Sequence, residues 1–199
     1  MPDTDESRIL TVPNAITLVR LALLPLYLYL LLALDDRVGA AVLLAALGAT
    51  DWIDGYVARR FHQVSNVGKV LDPVADRLLF LVGVGGIIVV DGAPLWFCWV
   101  VIAREVFVSV SVVVLAMLGA KRIDVTWVGK AGTFLLMAAF PMFLVGSSHI
   151  SSAPIFQALA WMCGVPGLLL AYTAAIVYVP IGLRSLREGR AGRADMTSP

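Results

Sequence analysis

Residues 14–34 read NAITLVRLALLPLYLYLLLAL, an apolar run whose one charge is Arg20. A helix that crosses ~30 Å of hydrocarbon needs ~20 apolar residues, so this stretch alone makes the chain a membrane protein. Windows of the same kind recur at 38–60, 71–90, 94–118, 127–145 and 155–183, which predicts six transmembrane helices. The connections between them are short and hold turn formers: Asp35-Asp36, Asp91-Gly92-Ala93-Pro94 and Ser147-Ser148. The expected class is an all-α integral membrane protein. A six-helix domain occupies residues 14–184. Before it, residues 1–13 form a short cytoplasmic or interfacial segment, with Ile9, Leu10 and Val12 interleaved with Arg8 and Thr11. After it, residues 185–199, SLREGRAGRADMTSP, read as a solvated basic tail with too little apolar surface to fold alone.

Composition supports this class. Of 199 residues, 60% are hydrophobic and 15% charged, and the mean hydropathy is +0.90, far above a water-soluble domain. The net charge of +1 gives nucleic-acid binding no electrostatic support. Cys98 and Cys163 lie in separate apolar stretches without CxxC spacing, which makes them packing residues rather than zinc ligands or a disulfide framework. Asp3, Asp5 and Glu6 at the start are the wrong charge for a cleaved secretory signal, so none is expected.

The basic residues orient the spans, because cytoplasmic ends collect Lys and Arg. Arg8, Arg20, Arg59, Arg60, Lys69, Arg77, Lys121, Arg122, Lys130, Arg184, Arg187, Arg190 and Arg193 fall on one side. Arg37 falls on the other, and Arg104 falls inside the fourth span. An even number of spans then places both termini in the cytoplasm, with the protein in the cytoplasmic membrane.

Between the second and third spans, residues 50–78 read TDWIDGYVARRFHQVSNVGKVLDPVADRL and hold four carboxylates, Asp51, Asp54, Asp72 and Asp76. Spacings of three and of four put each pair on one face of its helix end. Four close carboxylates in partly desolvated surroundings repel one another unless a cation neutralises them. All-oxygen donors favour hard ions such as Mg²⁺, Mn²⁺ or Ca²⁺, and four carboxylates suffice for two ions with shared ligands. Such a pair suits phosphoryl transfer. Gly55, Ala58 and Gly68 are small where a ligand or a neighbouring helix must approach backbone, and Arg59 offers a planar fork to phosphate. The alternative for the aspartates, ordinary solvated helix ends, leaves the expense of juxtamembrane charge without a purpose. His62, in the loop, reads as a surface residue.

The pattern Asp51-x-x-Asp54-Gly55-x-x-Ala58-Arg59, eight residues, Gly68-x-x-x-Asp72-x-x-x-Asp76 resembles the signature of the CDP-alcohol phosphatidyltransferases at every position. The likeness extends to the six-span plan. It implies that Asp51, Asp54, Asp72 and Asp76 hold two divalent cations, Mg²⁺ or Mn²⁺, and that Asp76 is also the catalytic general base. It further implies that Asp51, Gly55, Ala58, Arg59, Gly68 and Asp72 bind the CDP part of CDP-diacylglycerol, and that the chain is a homodimer with its active site on the cytoplasmic side.

TVPNAITLVRL (11–21), GKVLDPVADRL (68–78) and IARE (102–105) resemble the branch of cardiolipin synthases and phosphatidylglycerophosphate synthases. The Arg104–Glu105 pair reads either as a mutually satisfied structural pair or as a headgroup contact. Arg104, Lys121, Arg122 and Lys130 are the candidate acceptor-binding residues. Phosphatidylglycerophosphate synthases usually carry a second lysine where Gly132 stands, and an arginine where this chain has Ser109, Val110, Ser111 and Val112. A free phosphate dianion wants those cations more than a lipid diester does. The expected acceptor is therefore phosphatidylglycerol, which makes the product cardiolipin and releases CMP; glycerol 3-phosphate is the alternative. A lysine at 132 should raise use of glycerol 3-phosphate, unless the glycine serves close helix packing. A divalent cation transporter is the rival from another class, but its path would need polar residues through the full depth of the spans.

Overall fold

The chain's turns fix where each helix stops. Asp35 and Asp91 both sit at positive φ, 49° and 51°, a conformation that ends a helix and that aspartate tolerates better than most residues. Asp36 then caps the next helix: its Oδ1 accepts from the Gly39 N–H at 2.8 Å, and its carbonyl accepts from the Ala40 N–H at 3.0 Å. At the second turn the Gly92 N–H closes back on the Ile87 carbonyl at 2.8 Å. Pro94 starts the following helix by accepting from the Phe97 and Cys98 N–H groups.

The computed structural model describes residues 12–61, 68–118 and 127–197, with side chains at 15–50, 75–115, 117–118 and 127–177. Among them are six α-helices: α1 Val12–Leu28, α2 Arg37–Phe61, α3 Gly68–Val89, α4 Leu95–Met117, α5 Trp127–Gly146 and α6 Ala153–Thr197. A π-helical turn, Tyr29–Ala33, extends α1 to its end. All six predicted spans have their helix. The windows Ala15–Ala33, Leu95–Leu115, Trp127–Gly146 and Ala153–Val177 are long and apolar enough to cross a membrane, and α2 contributes the apolar piece Arg37–Thr50. The protein is a multi-pass membrane protein. The interfacial segment expected before the first span falls almost wholly outside the described residues. At the other end α6 runs on through Arg184 to Thr197, over the stretch read as a tail. Leu186, Arg187, Glu188, Arg190 and Ala191 are good helix formers, and no proline interrupts them.

The helices fall into two compact units. One contains α1, α2, α3 and residues 140–160, which are the end of α5, the turn after it and the start of α6. Here α1 packs on both α2 and α3. Tyr27, fully buried, donates its hydroxyl to the Gly83 carbonyl of α3 at 2.9 Å. Gly86, one turn further, makes room: a Cβ there would lie 3.0 Å from Leu31 Cδ2 and 3.1 Å from the Tyr27 hydroxyl. Arg37, the residue left alone on its side by the charge count, donates from Nη1 to the Ser147 carbonyl at 3.1 Å and to its Oγ at 3.0 Å. It therefore ties the turn before α2 to the turn after α5.

The second unit contains α4, α5 up to Ala139, and α6 from Trp161. Trp96 stacks on Trp161 with centroids 5.8 Å apart, and Phe97 meets the same ring edge-on. The Tyr172 hydroxyl donates to the Val100 carbonyl at 3.0 Å. The decisive contact is between α5 and α6. A Cβ on Gly132 would lie 2.7 Å from Ala171 N and 3.1 Å from both Ala171 Cα and the Gly167 carbonyl oxygen, so the two backbones touch. Gly167 faces Leu135 and Leu136 just as closely. Of the two uses considered for this glycine, close helix packing is the one the structure shows: a side chain at 132 would meet the α6 backbone and force the helices to shift. By contrast, only 17% of the α4 window is buried, which leaves a broad apolar surface for lipid.

Gly132→Lys should strongly lower the thermal unfolding midpoint in detergent, since overpacking against backbone that cannot yield costs at least ~1–3 kcal/mol. Gly85→Ala is its control, because nothing lies within 4 Å of the added Cβ. Relief of helix-interior glycine should there hold or raise stability, by up to ~1 kcal/mol. Equal losses in both variants would contradict the α5–α6 contact.

Candidate active site at the α2–α3 junction

The whole motif lies on two consecutive helices. Asp51, Asp54, Gly55, Ala58 and Arg59 occupy the last three turns of α2, and Gly68, Asp72 and Asp76 the first three of α3. Continuous helical backbone turns the sequence spacing into placement: positions 51, 54 and 58 follow one side of α2, and positions 68, 72 and 76 one side of α3. The side chains of Asp51, Asp54, Gly55, Ala58, Arg59, Gly68 and Asp72 are outside the described residues, as is His62.

Asp76 is the member of the set whose side chain is described. A rise of 1.5 Å per residue puts it about 12 Å along α3 from Gly68. Its carboxylate is 46% exposed, and its Oδ1 accepts from Arg20 Nη1 at 3.0 Å. Arg20 itself is only 2% exposed, held inside the protein on α1. Thr17, one turn earlier, is equally buried on the same face. A charge-assisted bond of this kind is worth roughly 1.5–3 kcal/mol, toward the lower end here because Asp76 is half-exposed.

Arg20, one of the cytoplasmic cations by the charge count, is thus a partner of the motif's last aspartate that the motif itself does not announce. One signal was available: an arginine flanked by Leu18, Val19, Leu21 and Leu23 is an intramembrane charge, and such charges have partners. Its partner, 56 residues away, could not be read without the packing of α1 on α3.

Of the expected acceptor residues, Arg104 is buried on α4 in the second unit. Its Nη1 meets Glu105 Oε2 at 2.7 Å, and its Nε donates to the Ala171 carbonyl of α6 at 3.4 Å. Both partners belong to the protein. Lys130 is exposed on the first turn of α5. Lys121 and Arg122 lie outside the described residues. Ser109 and Ser111 return their hydroxyls to the Glu105 and Phe107 carbonyls of their own helix at 2.6 and 2.7 Å, so this stretch offers polar groups already satisfied by backbone. Trp96 and Trp99 are exposed beside the first turn of α4, where an interfacial belt would place them.

Comparison with known proteins shows which family the chain is similar to. A family described as CDP-alcohol phosphatidyltransferase matches residues 10–179. A cardiolipin synthase (CMP-forming) of Streptomyces coelicolor is 38% identical over 177 residues, covering 86% of this chain and 82% of that one. A putative cardiolipin synthase of Mycobacterium tuberculosis is 33% identical over 204 residues, covering 96% and 94%. A CDP-diacylglycerol–glycerol-3-phosphate 3-phosphatidyltransferase of Escherichia coli is 30% identical over 200 residues, covering 92% and 97%. With the motif on α2 and α3 and the likeness running from before α1 deep into α6, the chain belongs to the CDP-alcohol phosphatidyltransferase family.

Proposed function

We propose that the protein transfers the phosphatidyl group of CDP-diacylglycerol to a hydroxyl of phosphatidylglycerol, forming cardiolipin and releasing CMP. What supports the reading is the complete aspartate motif on two consecutive helices of a chain of this family, together with relatives named as cardiolipin synthases at 38% and 33% identity. The absence of cations at 109–112 points the same way, since a lipid diester asks for less positive charge than a phosphate monoester. Gly132 no longer bears on the choice, because helix packing accounts for it.

The donor set of Asp51, Asp54, Asp72 and Asp76 is all carboxylate, which fits two hard divalent cations, Mg²⁺ or Mn²⁺. When bound, these supply charge neutralisation on the pyrophosphate and on departing CMP. The chain's own groups do the rest. Asp76 accepts the proton of the acceptor hydroxyl, whose oxygen then bonds to the phosphatidyl phosphorus as the bridging P–O bond to CMP breaks. Its half-exposed carboxylate can be reached by a hydroxyl. Arg59 is suited to the nucleotide phosphates, with Gly55, Ala58 and Gly68 leaving room beside it. The positive-inside bias supports a cytoplasmic active site with both termini on that side, and the family resemblance supports a homodimer.

The test is an acceptor screen. Purified protein with CDP-diacylglycerol and Mg²⁺ or Mn²⁺ should release CMP with phosphatidylglycerol and form cardiolipin, and should turn over glycerol 3-phosphate at least tenfold less efficiently, about 1.4 kcal/mol of discrimination. Turnover of glycerol 3-phosphate alone would assign the acceptor to the alternative. Excess EDTA, and separately Asp51→Asn or Asp72→Asn, should each abolish CMP release while the protein remains folded by its thermal transition; turnover surviving chelation would sink the two-cation reading. Asp76→Asn should keep its affinity for CDP-diacylglycerol within a few-fold and lose roughly 10²–10⁴ in kcat, the usual worth of a general base. Near-normal turnover would put the base elsewhere.

A further inference from the structure

Resting on that reading of Asp76 as the base, we propose that Arg20 is a positioning residue for the transfer: from α1 it holds the Asp76 carboxylate in the orientation from which it takes the acceptor's proton. The geometry is asymmetric. Arg20 is 2% exposed and Asp76 46%, so the guanidinium is locked inside the protein while the carboxylate it grips is half-exposed. A buried guanidinium is a rigid, planar donor, and its bond to one carboxylate oxygen restricts rotation of the aspartate about its side-chain bonds.

The register of the two helices sets the grip. Arg20 bonds to Asp76 and Tyr27 bonds to Gly83, and both pairs span 56 residues. The two contacts therefore lie seven residues apart on α1 and seven apart on α3, two turns along each of two parallel helices. Gly86 lets Leu31 and the Tyr27 ring close on α3 one turn further on. A shift of α1 by a single turn would break the tyrosine bond and the arginine bond together, so the contacts that pack the first unit also aim the base. A base displaced by ~1 Å can lose ~10²-fold in rate, which is why an aspartate with half its surface in solvent benefits from an anchor.

The experiment is a double-mutant cycle on the full-length enzyme in detergent or nanodiscs, with Arg20→Met, Asp76→Asn and both changes together. Arg20→Met should lower kcat by about ten- to a hundredfold, part of the general-base contribution, and change KM for CDP-diacylglycerol by less than about threefold. Arg20→Lys, which keeps a cation but loses the fork, should recover part of the loss. In the Asp76→Asn background, Arg20→Met should lower kcat no further, because Arg20 acts through the carboxylate. Two readouts are independent of turnover: affinity for CDP by calorimetry should change by less than about threefold across the set, and the thermal midpoints should be non-additive in the same sense as kcat. A merely structural arginine would instead lower CDP affinity together with the midpoint, and its kcat loss would multiply with that of Asp76→Asn. If Arg20→Met does not fold, Arg20→Lys carries the same cycle. Wild-type protein inactive toward every acceptor overturns the functional reading; an active wild type with Arg20→Met or Arg20→Lys at full kcat, or with additive losses, overturns the positioning role.

Discussion

In hydrocarbon a polar group has no water to fall back on, and every feature of this chain follows from that constraint. The backbone answers it by folding into helices whose hydrogen bonds close within each segment. Side chains answer it by being apolar or by carrying a partner. Among the described residues the buried polar or charged side chains are Thr17, Arg20 and Arg104. Arg20 meets a carboxylate on α3, and Arg104 meets its neighbour Glu105 and a carbonyl of α6. Tyr27 and Tyr172, with hydroxyls to place, each give them to a carbonyl of another helix. Each of these contacts between helices fixes how one helix sits on its neighbour.

This economy explains what could be read in advance. Span length and turn chemistry depend on local sequence, so the six helices and the turns at Asp35-Asp36 and Asp91-Gly92 were legible, with helix bounds within a few residues except where α6 continues. The aspartate motif was equally legible, because its meaning lies in spacing along α2 and α3. Pairing across helices was not. The Arg20–Asp76 bond depends on the register of α1 on α3, which is set by Tyr27, Leu31, Gly83 and Gly86 acting together, and no spacing within either helix announces it. The extension of α6 escaped for another reason: polarity showed that residues 185–199 would not bury themselves, whereas helix propensity, a separate property, carried the backbone on to Thr197.

Gly132 shows how one position can carry two incompatible demands. As a charge position, a lysine here would offer a cation to an anionic acceptor. As a packing position, it lets the backbone of α5 reach that of α6 at Gly167 and Ala171. The structure shows the packing role, since a Cβ 2.7 Å from a backbone nitrogen would force α5 and α6 to shift. An acceptor pocket built around a lysine at this site would need α5 and α6 to stand further apart. In this chain, then, a lysine at this position would entail moving a helix as well as gaining a charge.

On the reading of Asp76 proposed above, a division of labour between Arg20 and Asp76 resolves a similar conflict at the base. A carboxylate that receives a proton from a lipid hydroxyl must be open to the substrate, yet an open aspartate samples several orientations, only one of which points at the reacting oxygen. Burial would hold it but also close it off. Splitting the two requirements over two helices removes the contradiction: α3 presents the exposed group, and α1 supplies the buried cation that restrains it. The arrangement also explains why a charge is tolerated inside the first span, where an unpartnered arginine would be costly. Its cost is offset by the bond to Asp76, so the stability of the α1–α3 contact and the placement of that carboxylate are tied together.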